Sequence, residues 1–113
     1  MAELDLKQTR VLRALGLCAR ARRMIFGVPM LCDAMQAGRK APLLVLEAAD
    51  TSNNTHKKLG DKCAYYGVRS IQLEMDGEML AHAVGKTASL AAVGITDENM
   101  CRLILGALSP DAQ

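Results

Sequence analysis

Aromatic residues are nearly missing from this chain: there is no tryptophan, one phenylalanine (Phe26) and two adjacent tyrosines (Tyr65, Tyr66). That scarcity argues against a single-strand binder that stacks successive bases on an aromatic platform. Nine glycines and three prolines are too few for a collagen-like or low-complexity chain. No C-x-x-C pair occurs. The four cysteines, Cys18, Cys32, Cys63 and Cys101, lie far apart among apolar neighbours (LGLCARA, MLCDAM, KCAYY, MCRLIL). Such residues are expected to be small buried hydrophobes in a reducing cytosol, with neither disulfide nor metal role. No apolar run approaches the ~20 residues that span a bilayer, and the opening MAELDLKQTR has no apolar h-region of a secretory signal. The expectation is a cytoplasmic protein with no membrane partner.

What is present suits a small globular fold. The 113 residues fit one domain, 1–113, and 50% of them are hydrophobic, enough for a core. Fourteen basic residues against twelve acidic ones, a net charge of +2, say little until the charges are placed in space.

Periodicity orders the elements. Val11, Leu12, Leu15, Cys18 and Ala19 recur at helical spacing in a first helix over roughly residues 5–21, with Arg10, Arg13 and Arg20 on its other side. Residues 23–26 read as a brief strand stopped by Gly27. Pro29 suits the first turn of a second helix, which buries Met30, Leu31, Ala34 and Met35 and ends at Gly38. LLVLEAA after Pro42 reads as a central strand covered on both faces. Asp50, Thr51 and Ser52 offer caps for a third helix running through Thr55, Leu59 and Cys63 to Gly67. Val68 to Leu73 alternates as a half-buried strand. A fourth helix spans Gly77 to about Val84 and ends at Gly85. Ser89 to Val93 reads as the last strand, and Asp97 opens a final helix containing Met100, Leu103, Ile104 and Leu108. Strands alternating with helices imply an α/β/α sandwich around one sheet.

Catalytic chemistry finds little support. AVGKT (Ala83 to Thr87) looks like the tail of a P-loop, but Leu80 stands where that motif needs a glycine. His56 and His82 are not at metal-ligand spacing, and His56 in the polar run NNTHKK is expected to be solvated. Helix three's cap explains Asp50 better than catalysis does. Glu47 interrupts an apolar run, so it either turns outward at an edge or reaches a basic partner. No nucleophile, base and orienter set is visible, which predicts no enzyme, no cofactor and no small-molecule substrate. The basic residues are more suggestive: Arg20, Arg22 and Arg23; Arg39 and Lys40; Lys57, Lys58 and Lys62; and Lys86. They read either as ordinary solvated charge or, if gathered on one side, as a phosphate-neutralising face.

Four segments together carry a resemblance: LGLCARARRMIFG (Leu15 to Gly27), LVLEAADTSNNTHKK (Leu44 to Lys58), DKCAYYGV (Asp61 to Val68) and LAHAVGK (Leu80 to Lys86). The chain resembles the superfamily of kink-turn-binding ribosomal proteins of the L-seven-Ae type, and within it the bacterial YlxQ-like branch. The resemblance implies a three-layer α/β/α sandwich with a four-stranded mixed sheet. It also implies a non-enzymatic protein whose partner is structured RNA, bent or bulged, with ribosomal RNA and ribosome association as the expected setting. The implied contacts are Arg23, Gly27, Val28, Pro29, Met30, Lys86, Thr87 and Ala88. Arg23 and Lys86 would neutralise phosphate, the Gly27 loop would offer amides, and the neutral residues would pack on bases.

The chain departs from the kink-turn pattern G-x-N-E-x-x-K, reading GVPMLCD: Pro29, Met30 and Asp33 replace Asn, Glu and Lys. LGxAxG becomes LAHAVG, with Ala81 for Gly. Two base-edge partners and a cation are thereby lost, so the resemblance carries the fold further than the specificity. An alternative on the same fold is a protein-docking surface built from Met24, Met30 and Met35.

Overall fold

In the computed structural model, residues 2–109 are described. Among them, nine elements follow one another: α1 (Ala2–Arg20), β1 (Met24–Phe26), α2 (Val28–Ala37), β2 (Leu44–Glu47), α3 (Asn53–Tyr66), β3 (Arg69–Gln72), α4 (Gly77–Ala83), β4 (Ala92–Ile95) and α5 (Glu98–Leu108). The strands form one four-stranded mixed sheet in the order β1-β4-β2-β3. β2 and β3 are parallel, joined through α3, whereas β4 runs antiparallel to both of its neighbours. Parallel pairing requires such a crossover, because a tight turn reverses the chain.

Period-two alternation sorts side chains between two cores. Leu44, Leu46, Val93 and Ile95 point to a cluster shared with Val11, Leu15 and Cys18 of α1, Leu80 of α4 and Ile104 of α5. Val45 and Ala92 point the other way, to Val28, Leu31 and Met35 of α2 and Leu59 and Cys63 of α3. The layers are therefore α1/α4/α5, sheet, α2/α3, the three-layer sandwich. β2 is central and buried throughout, but ends at Glu47, with Leu43 exposed before it. β3 is an edge strand with only Ile71 partly covered.

Several ends stand where local chemistry places them. α2 and α3 stop at left-handed Gly38 and Gly67, and Asp97 caps α5 through the Met100 amide. The last strand is displaced from Ser89–Val93 to Ala92–Ile95. Gly94 sits inside it, because a Cβ there would run into Leu31 of α2 and lie 2.8 Å from Pro42 Cβ. Its missing side chain lets α2 approach the sheet. α1 starts earlier than its periodicity suggests, at Ala2, and α2 opens at Val28, one residue before Pro29.

Candidate nucleic-acid interface

The C-terminal ends of β1, β2 and β3 share one edge of the sheet, where β4 begins; open α/β sheets place ligands outside such ends. Phe26 pairs with Val93 and Glu47 with Ala92. The Gly27 amide donates to Ala92 O (2.9 Å) and the Ala48 amide to Ala91 O (2.8 Å). Three loops thus meet here: Gly27, Gly85 to Ala91, and Ala48 to Ser52.

The first is shaped by Gly27, whose φ of 89° and ψ of 152° are closed to residues with a Cβ. α2 starts at once, with no side-chain cap. Helix geometry leaves its first amides without internal acceptors, and Pro29 has none to offer. Val28 and Met30 therefore present the amides of this N-terminus, an arrangement that favours an anion. Met30 is 59% exposed.

The second loop leaves α4 through a left-handed Gly85 (φ 80°), with the Lys86 amide donating to Ala81 O (2.8 Å) and the Gly85 amide to His82 O (3.2 Å). This Schellman arrangement fixes where Lys86 emerges. Its ammonium lies 4.4 Å from the Phe26 ring centroid, a cation–π contact that draws the second loop over the end of β1. Thr87, Ala88 and Ser89 follow, all exposed. The loop returns through Leu90, whose amide donates to Gly77 O (3.0 Å). A Cβ on Gly77 would meet Ser89 Oγ and Leu90 O, the latter at 2.6 Å, so this glycine permits the close approach.

The structure therefore brings Gly27, Val28, Pro29, Met30, Lys86, Thr87 and Ala88 to one end. Arg23 is not among them. It stands at the other end of β1, about 13 Å of extended chain away, where its carbonyl accepts from the Thr96 amide.

Three polar residues at this end have roles that their sequence neighbours conceal. Asp50 does not cap α3; Ser52 does, accepting from the Thr55 amide. Asp50 Oδ1 instead accepts from the Gly77 amide (2.9 Å) at the start of α4, and so ties the loop after β2 to the Gly77–Leu90 link. Glu47 is 2% exposed in a central strand rather than at an edge, and reaches a basic partner: His56 Nδ1 lies 2.6 Å from its carboxylate. His56 is thus held at the first turn of α3, not merely solvated. The interruption of an apolar run was the signal for Glu47; its partner had none.

Of the three methionines weighed as a docking surface, Met35 belongs to the core, Met24 is half-buried and only Met30 is exposed. The cysteines are free; Cys18, Cys63 and Cys101 are buried and Cys32 partly so. Burial pushes the Cys18 thiol up to about 11, with Cys101 and Asp97 adding to the shift, so it holds its proton at neutral pH and is a poor nucleophile. Among the described residues, no group of three or more His, Cys, Asp or Glu side chains could hold a metal ion. No described helix is long and apolar enough to cross a membrane.

The chain is 34% identical over 94 residues to the RNA-binding protein YlxQ of Bacillus subtilis (strain 168), covering 83% of this chain and 90% of that one. It belongs to the YlxQ family. A solved structure of a Bacillus halodurans protein of unknown function matches with a TM-score of 0.77 and 31% identity, over 88% of this chain and 96% of that one. The Giardia lamblia 15.5kD RNA binding protein matches with a TM-score of 0.70 over 92% of this chain and 86% of that one. At 15% identity that likeness speaks for the fold alone, while the YlxQ match bears out the expected YlxQ-like branch. No family model matches the chain.

Proposed function

We propose that this chain is a non-enzymatic, cytoplasmic RNA-binding protein whose target is a bent or bulged structured RNA in or near the ribosome, held by the Gly27–Met30 and Gly85–Ser89 loops. The observation that carries the reading is the joining of two separate loops by Lys86 over Phe26, beside an uncapped helix N-terminus. A phosphate can meet the Val28 and Met30 amides while Lys86 neutralises a neighbour. The exposed Pro29, Thr87 and Ala88 shape the surface around these contacts while the Val28 side chain stays in the core, and shape with backbone contact dominates protein recognition of folded RNA. Relatives and neighbours named as RNA binders support the same reading.

Backbone contact of this kind is salt-sensitive and weakly specific. The test is a titration of the full chain against a bulged RNA duplex at several salt concentrations, repeated with Lys86→Gln and Gly27→Ala. Affinity should fall with salt and in both variants. Binding that stays flat with salt, or is untouched by both substitutions, would overturn the proposal. Capture of an apolar peptide on Met30 in place of RNA would favour the protein-docking alternative.

A further inference from the structure

The outer face of α3 combines features that the two loops do not use. Asn53–Tyr66 is a helix, and positions 57, 58, 61, 62, 65 and 66 recur at three-and-four spacing on one side of it. They line a shallow groove of about 700 Å³. Lys57, Lys58 and Lys62 make no ion pair among the described residues, and Asp61 is the one carboxylate among them. Beside these cations Tyr65 is 82% exposed, its ring 4.8 Å from that of Tyr66 and edge-on to it at 84°. A chain with three aromatic residues has placed two of them outward on a lysine face, although large rings stabilise a fold most when buried. The edge-on contact with Tyr66 holds the Tyr65 ring while leaving it open to solvent.

The location adds direction. α3 begins at the same sheet end as Gly27 and Lys86, where His56 meets Glu47, and runs away from it. Tyr65 lies about 14 Å along the helix from His56. A strand leaving an RNA held by the two loops can therefore pass over Lys57 and Lys58 toward the exposed ring.

Resting on the reading of the loops as an RNA site, we propose that the outer face of α3 is a second RNA-binding surface. It takes the single-stranded segment flanking the structured element, with one unpaired base stacked on Tyr65 and neighbouring phosphates on Lys58 and Lys62. One exposed ring serves one base. The scarcity of aromatics excludes an extended platform, not a single stacking point.

The chain has no tryptophan and its two tyrosines both lie on this face, so intrinsic tyrosine emission reports on the surface directly. The full chain is titrated with a blunt bulged RNA duplex, with the same duplex carrying a short pyrimidine tail, and with polyglutamate. The tail should raise affinity and quench tyrosine emission. Tyr65→Ala should remove about tenfold of affinity for the tailed RNA and leave the blunt duplex unchanged. The Lys58→Gln, Lys62→Gln double variant should lower the log–log salt slope by about 0.7 per lysine, on the tailed RNA alone. Lys86→Gln should weaken both RNAs alike. Loss of blunt-duplex binding with tail-dependent quenching intact refutes the reading of the loops and not that of α3. A tail that adds no affinity, or whose effect survives both α3 variants, overturns the proposal. Quenching by polyglutamate and not by the tail also overturns it, in favour of an acidic protein partner.

Discussion

The two helical layers divide the work of this molecule unequally. On the α1/α4/α5 side, apolar residues from three helices and four strands interlock in one large cluster, including Leu15, Leu46, Leu80, Val93 and Ile104. On the α2/α3 side the cluster is smaller, resting on Leu31, Met35, Val45 and Leu59, with contact made possible by Gly94. The thick layer spends its helix surface on the core. The thin layer leaves more of α2 and α3 outward, and it carries the α2 N-terminus and the lysine face of α3, while the thick layer contributes to the candidate RNA surface through the loop after α4 that bears Lys86. A helix anchored by few large residues has more positions free to carry charge and recognition. The cost is local stability, which follows the apolar area buried.

The largest expected effect tests that division. Leu59→Ala removes a fully buried side chain and should cost about 2–5 kcal/mol. If the layers differ as described, native-state amide exchange in α3 should rise before that in α1. Simultaneous exchange of both helices would show one cooperative unit instead. Gly94→Ala comes next, at about 1–3 kcal/mol by overpacking, read by denaturant unfolding, because the added carbon must displace Leu31 or Pro42. An unchanged midpoint would mean that α2 shifts freely on the sheet.

On the binding side of the comparison, Pro29→Asn, Met30→Glu and Asp33→Lys together restore the kink-turn pattern. Affinity for a kink-turn duplex should rise, with about 1–3 kcal/mol for each base contact regained, by analogy with duplex base readout. If the unmodified chain already binds as tightly as the triple variant, the contacts lie elsewhere. The smallest effect concerns the thick layer. Burial raises the Cys18 pKa from 9.0 to about 11. Below pH 9 folded and unfolded chains both hold the proton, so its contribution is complete. Between pH 9 and 11 the unfolded chain ionises first, and stability falls as pH rises. A Cys18→Ala variant should lose this alkaline slope; an unchanged slope would assign it to other groups.

Much of the fold was legible because its signals are local. Helical spacing of Val11, Leu15 and Cys18 marked α1, glycines at 38 and 67 marked helix ends through their left-handed conformation, and Asp97 announced α5 as its cap. The family resemblance carried by LGLCARARRMIFG and LAHAVGK also brought forward both loops. It did not show that Lys86 would close over Phe26, that Arg23 would stand at the opposite end of β1, or that Asp50 would bond to Gly77 rather than begin α3. Nor did it name His56 as the partner of Glu47. The last strand, read as Ser89 to Val93, in fact runs through Gly94, the place where α2 presses on it. Backbone conformation and periodicity are properties of neighbouring residues, so they can be read along the chain. Which side chain meets which across the sheet depends on strand order and register, and these were decided by tertiary packing alone.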